Sequence, residues 1–301
     1  MKLFSFRAVS ITLGTLLVSA SLFVFVVQDV YADLGGPGLS YAFLTDANTH
    51  ASYSMPYFPI TLSPGSTVTL SFDGELIDPD GGSDITQAEV TFYRSGVSGG
   101  STCSVNDRDC YRATCSLGTV VDIMRDFTCQ IAITSSADAT DEASEFSEEY
   151  WRGSIALLDA SNNGGSYDLY IGVDINSLLA AEFPNIVFGT IPVATATDTS
   201  TNSSQTIVQK GNTQADVAVS GEGMVCAGGG TIPVSDVKWS LTDVGFSDGA
   251  TTSLSASPTS TSLTVPYIGG ASTQLFWNVQ TPSAASGVCS GTIQFDISPS
   301  V

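Results

Sequence analysis

Three carboxylates fall within seven residues in Asp78-Pro79-Asp80-Gly81-Gly82-Ser83-Asp84. Oxygen donors that dense suit a hard cation, and Ca²⁺ takes about six to eight of them. Glu89 stands at the twelfth place counted from Asp78. The EF-hand pattern nevertheless fails, because Gly82 and Ser83 occupy the fifth and sixth places. Asp and Gly also shape tight turns without any ion. Asp78, Asp80 and Asp84 are the candidate calcium ligands, although a plain turn is the stronger expectation. Asp138, Asp141, Glu142, Glu145, Glu148 and Glu149 form a second acidic concentration. That one reads as a solvated loop or one short helix.

Other chemistry is poorly provided for. His50 is the single histidine, and it lies in the aromatic leader, while the cysteines are expected to be oxidised, so neither a Ser-His nor a Cys-His nucleophile is expected. No glycine-rich phosphate loop follows a strand. Acids are common, but nothing in the spacing pairs two of them across a cleft as glycoside hydrolysis needs. The expectation is that the chain is not an enzyme and requires no cofactor, calcium being the one ion to consider.

The six cysteines partition. Cys103, Cys110, Cys115 and Cys129 lie together, and Cys226 and Cys289 lie far downstream. Even groups suit disulfides in two folding units. If the groups do not mix, Cys226 pairs with Cys289. The first group allows three pairings, of which Cys103–Cys110 with Cys115–Cys129 closes the shortest loops. The intervening lengths of six, four and thirteen residues lack the close pairs of zinc ribbons.

Disulfides require export, and the N-terminus supplies it. Met1–Arg7 carries Lys2 and Arg7, Ala8–Val27 is apolar, and Val30-Tyr31-Ala32 offers a small residue for cleavage. This reads as a secretory signal cleaved after Ala32. The apolar stretch is also long enough to span a bilayer, so retention as an anchor is the alternative. The chain carries a net charge of −21, which becomes −22 once Lys2, Arg7 and Asp29 leave with the signal. No Lys/Arg cluster survives, which excludes a nucleic-acid binder. Stable insertion in a membrane after cleavage is excluded on the same reading.

The elements that must position these residues are strands. Val68, Leu70 and Phe72 alternate with polar neighbours, as do Ala88, Val90 and Phe92. Cys129, Ile131 and Ile133 continue the pattern, followed by Leu169, Ile171, Val173 and Ile175. Downstream it returns in Val217 and Val219, in Val237, Trp239 and Leu241, and in Leu275, Trp277 and Val279. Period two at short intervals predicts β-sandwiches. Trp151, Trp239 and Trp277 fall on apolar phases and read as core rather than as a sugar platform. Ser177–Glu182 reads as one helical turn between units. Residues 33–59 form an aromatic leader with Tyr41, Phe43, Tyr53, Tyr57 and Phe58. These five could add an edge to a neighbouring copy, although pairing with the chain's own first unit is the stronger expectation. Asn202-Ser-Ser is an N-glycosylation sequon.

A resemblance accompanies these patterns. Asn185-Ile-Val-Phe-Gly-Thr-Ile, Gln209-Lys-Gly-Asn-Thr-Gln-Ala-Asp-Val and the closing Gly287-Val-Cys-Ser-Gly-Thr-Ile-Gln-Phe resemble prokaryotic extracellular immunoglobulin-like modules. Within that group they are similar to abnormal-spindle/hydin-like domains. Leu76-Ile-Asp-Pro-Asp-Gly-Gly-Ser-Asp-Ile resembles a turn of related secreted modules. The resemblance implies tandem Ig-like sandwiches and a surface role, and it carries over no catalytic residues.

The expected protein is therefore all-β, with two Ig-like sandwiches over residues 60–185 and 186–301 behind the leader. Its expected job is structural or adhesive at the cell surface or outside it. The partners would be copies of itself or other surface proteins. A carbohydrate- or protein-binding module, with calcium involved, is the alternative.

Overall fold

The computed structural model describes residues 36–47, 52–53, 59–267 and 270–300; for 52–53, 170 and 171 it describes the backbone only. The expected signal segment, His50, Tyr57 and Phe58 lie outside the described residues. In chain order the strands of the first half are β1 (Gly38–Asp46), β2 (Ser52–Tyr53), β3 (Thr67–Ile77), β4 (Ile85–Arg94), β5 (Cys110–Thr114), β6 (Ser116–Val121), β7 (Met124–Thr134), β8 (Trp151–Asp159) and β9 (Gly164–Val173). Those of the second half are β10 (Ala181–Glu182), β11 (Ser203–Gln209), β12 (Ala215–Gly221), β13 (Met224–Cys226), β14 (Thr231–Ile232), β15 (Val237–Ser240), β16 (Thr252–Ser253), β17 (Thr259–Val265), β18 (Ser272–Val279), β19 (Cys289–Ser290) and β20 (Ile293–Pro299). Among the described residues the only helical pieces are three one-turn 3-10 segments, at Gly82–Asp84, Gly100–Thr102 and Val234–Asp236. No helix among the described residues is long and apolar enough to cross a membrane.

The first half stacks two antiparallel sheets, ordered β2-β1-β3-β7-β6 and β5-β4-β8-β9. Alternating side chains from both close over one core that includes Leu70, Phe72, Val90, Phe92, Ile131, Ile133, Trp151 and Ile155. Aromatic rings lace the sheets together. Phe72 of β3 meets Phe92 of β4 edge-on at 5.6 Å, and Phe92 stacks on Trp151 of β8 at 5.0 Å. Such pairs add about 0.5–1.5 kcal/mol each beyond the area they bury.

The leader's strand is β1. It runs antiparallel to β3 over most of its length, and Leu39 and Leu44 enter the first core. Residues 38–46 are therefore part of the first sandwich rather than an appendage to it. The reason is steric as well as apolar. Gly74 of β3 lies so close to β1 that a Cβ there would stand 2.2 Å from the Tyr41 carbonyl oxygen.

The second half has sheets ordered β10-β11-β18-β15-β16, β17-β12-β20 and β14-β13-β19. Val217, Val219, Val237, Leu275 and Trp277 build a separate second core. Ser177–Glu182 contains no helical turn. Its end is β10, which pairs with β11, and the Leu178 N–H is held by the Asn212 side chain at 2.6 Å.

Disulfides join Cys103 to Cys110, Cys115 to Cys129 and Cys226 to Cys289, and no cysteine is free among the described residues. Cys115–Cys129 touches the first core, and Cys226–Cys289 clips β13 to β19.

Candidate functional site

Asp78 follows β3 directly, Asp84 closes the 3-10 turn before β4, and Asp159 ends β8. The pairing of Ile85 with Asp159 across β4 and β8 brings the last of these to the first two. One carboxylate oxygen from each of the three lies within 4.8 Å of the others. Backbone bonds fix the frame: the Ala160 N–H donates to the Asp84 carbonyl at 2.9 Å, and the Gly81 N–H to the Asp78 carbonyl at 3.0 Å.

The composition of this cluster corrects the expected one. Asp80 is not a member. Its backbone N–H donates to Asp78 Oδ1 at 2.9 Å, so it shapes the turn. Asp159 takes its place, and its two oxygens accept from the backbone and side chain of Asn163 at 2.7 and 2.9 Å. Asp78 is 0 % exposed, and its Oδ2 has no hydrogen-bond partner among the described residues. Burial raises its carboxyl above the ordinary range, and the nearby Asp84, Asp80 and Asp159 charges push the same way; the Asp80 N–H pulls against them. Among the described residues no lysine or arginine forms an ion pair with any of the three.

The second acidic run is not a simple solvated loop. Asp138 is buried and accepts from Arg94 Nε at 3.1 Å and Arg108 Nη2 at 2.9 Å. Glu149 pairs with Arg94, whose guanidinium lies over the Phe146 ring at 3.7 Å. Asp141 accepts from the Ser177 backbone at 2.7 Å and from its hydroxyl at 2.6 Å. These acids hold loops in place, and their partners are spread too far along the sequence to be read from spacing.

A second feature had no expectation attached to it. A groove of about 740 Å³ opens in the second half. One wall is the segment 185–191, which makes no hydrogen bond among the described residues. The other is Gly287–Phe295, including the start of β20, which among the described residues pairs with β12 on one side and with no strand on the other. Ile186, Phe188, Met224 and Ile293 line it, and Phe183 stacks on Phe295 at 4.4 Å near its edge. Its rim carries Val187 and Val288, 75 % and 79 % exposed. Glu222 is its single charged lining residue.

The remaining expected positions fall as follows. Trp151, Trp239 and Trp277 are buried in the two cores. Tyr41 and Phe43 on β1 are 40 % and 46 % exposed, and Tyr53 lies in β2 beside Leu44 of β1. Asn202 Nδ2, the atom a glycan would take, donates to Asp243 Oδ1 at 2.7 Å and to the Val244 carbonyl at 3.3 Å.

No family model matches the chain, and no curated protein matches it significantly. Among solved structures, a chain from a chaperone–tip adhesin complex of CFA/I fimbriae biogenesis is similar over 86 % of this chain and 84 % of its own, at 9 % identity and a TM-score of 0.26. A likeness that loose supports no argument about function.

Proposed function

We propose that this is an exported, non-catalytic surface protein of two Ig-like sandwich units, and that it acts as a structural or adhesive subunit whose copies join through the groove beside β20. The groove is the observation that carries this reading. Unpaired backbone on a free strand edge accepts an added strand, and apolar pockets beside it take alternate side chains. Exposed valines on the rim mark an apolar surface of the kind that interfaces cover. A net charge of −21 keeps copies apart elsewhere, yet the groove is nearly free of charge. Three disulfides in a chain of this size suit work outside the cytosol. Carbohydrate recognition draws less support, because all three tryptophans are spent in the cores.

Light scattering and negative-stain microscopy of the oxidised mature protein at physiological salt test the reading. Concentration-dependent ordered assemblies are expected. The double variant V187D/V288D should keep the fold, because both side chains are exposed, and should lower assembly at least about tenfold. A monomer at every concentration, or assembly indifferent to the two substitutions, overturns it.

A further inference from the structure

We infer that Asp78, Asp84 and Asp159 form a Ca²⁺ site that joins the two sheets of the first sandwich at one end. The argument is independent of the groove and of how copies associate. It begins with an electrostatic debt: three carboxylates converge with no cationic side chain paired to them among the described residues. Like charges so close repel strongly, and the repulsion is screened least where water is excluded. Asp78 sharpens the case. It is fully buried, and with Oδ1 engaged by the Asp80 N–H its Oδ2 is left without a donor. A buried carboxylate oxygen without a partner is costly, and a cation among the three removes that cost.

The donors select the class of ion. All three are carboxylate oxygens, and the described residues place no sulfur or imidazole nitrogen among them, so a hard cation fits and zinc does not. The number of carboxylates selects within that class: three converge here, whereas Mg²⁺ keeps several waters and usually takes one or two carboxylates. Oxygens within 4.8 Å of one another can share one cation. Backbone carbonyls of the turns and water complete the shell, as they do in extracellular calcium modules.

The consequence for the fold is specific. Asp78 leaves the sheet of β3, while Asp84 and Asp159 belong to the sheet of β4 and β8. An ion held by all three pins the β3–β4 turn, which joins the two sheets, against the end of β8, beside the backbone bond from the Ala160 N–H to the Asp84 carbonyl.

Calorimetric titration of the metal-stripped full chain with CaCl₂, paired with thermal unfolding in EDTA and in Ca²⁺, tests the site. One ion per chain is expected, with a dissociation constant of about 10⁻⁴–10⁻³ M and a Tm rise of about 3–5 °C at ten times that concentration. D84N and D159N should each weaken binding at least about tenfold, while D80N should leave it within about threefold. D84N leaves the Asp159–Asn163 bonds intact, so it reports on the ion even where D159N disturbs the hairpin. MgCl₂ should bind at least about tenfold more weakly. No binding at 10 mM CaCl₂ (about ten times the weakest expected constant), equal binding of Mg²⁺, or a loss confined to D80N overturns the assignment.

Discussion

Arg94 and Asp138 meet at 3.1 Å with both side chains withdrawn from solvent. Arg108 closes on the other oxygen of Asp138 at 2.9 Å, and the Trp151 indole N–H donates to the Asp138 carbonyl at 2.9 Å. Burial raises the Asp138 carboxyl, and the two guanidiniums pull it back down. Removing Asp138 takes from Arg108 its paired carboxylate and leaves Arg94 with Glu149 and Asp109. Asp138→Ala should cost about 3–5 kcal/mol, because two guanidiniums then lack their shared partner. Urea unfolding measures it, and a loss under about 1 kcal/mol would show that water replaces the carboxylate freely.

Alkaline stability should report on Tyr111. Burial pushes its hydroxyl up to about 12. The unfolded chain loses that proton near pH 10, so the native state is favoured in full below about pH 10, and that advantage fades as pH climbs to about 12. The slope is about 1.4 kcal/mol per pH unit. Tyr111→Phe forfeits the bonds to the Asp107 carbonyl and Thr134 Oγ1 and is less stable at neutral pH. Its stability should fall less steeply between pH 10 and 12. Parallel urea midpoints for both proteins across that range would contradict burial as the cause.

Asn212 binds two segments, at Ala137 and at Asn176–Leu178, with one side chain. Its Nδ2 donates to the Ala137 carbonyl at 2.8 Å and to the Asn176 carbonyl at 3.2 Å, and its Oδ1 accepts from Leu178. Asn212→Ala leaves those backbone groups without that partner and should cost about 2–4 kcal/mol. Chemical denaturation gives the number, and hydrogen exchange at Leu178 should accelerate in the variant.

The disulfides should differ in worth. Cys226–Cys289 spans 63 residues and Cys103–Cys110 spans 7. Loop-closure entropy assigns about 4 kcal/mol to the first and about 2.5 to the second. Paired Cys→Ala replacements, compared by urea midpoint, should rank in that order. The reverse ranking would mean that local packing, not chain entropy, governs.

Much of the strand framework is legible in local alternation, because a half-buried strand must present apolar groups every second residue. Leu70, Phe72, Val90, Phe92, Val217 and Trp277 all face a core as their phase requires. Leu241 breaks the rule and is exposed, since β15 ends at Ser240. Ile293 and Phe295 are only half-buried because they line the groove, and Ile297 is half-buried further along the same edge strand. The carboxylate cluster was half legible. Asp78 and Asp84 share one turn and were visible as a local motif. Asp80 shares that motif but is exposed and contributes its backbone N–H to Asp78, which spacing cannot show. Asp159 arrives through β4–β8 pairing, 75 residues from Asp84 along the chain. Arg94–Asp138 and the Asn212 bonds were hidden for the same reason.

The long covalent loop has a mechanical consequence. β14 through β18, with most of the second core, lie between Cys226 and Cys289. A tensile load applied at the two ends of the chain passes through the sulfur bridge and bypasses them. Pulling can peel β20 away, yet the 62 residues between the two cysteines contribute nothing to extension. That withholds about 210–230 Å of contour length until the bridge is reduced. A chain wired this way gives way at its margins under load and keeps its centre folded.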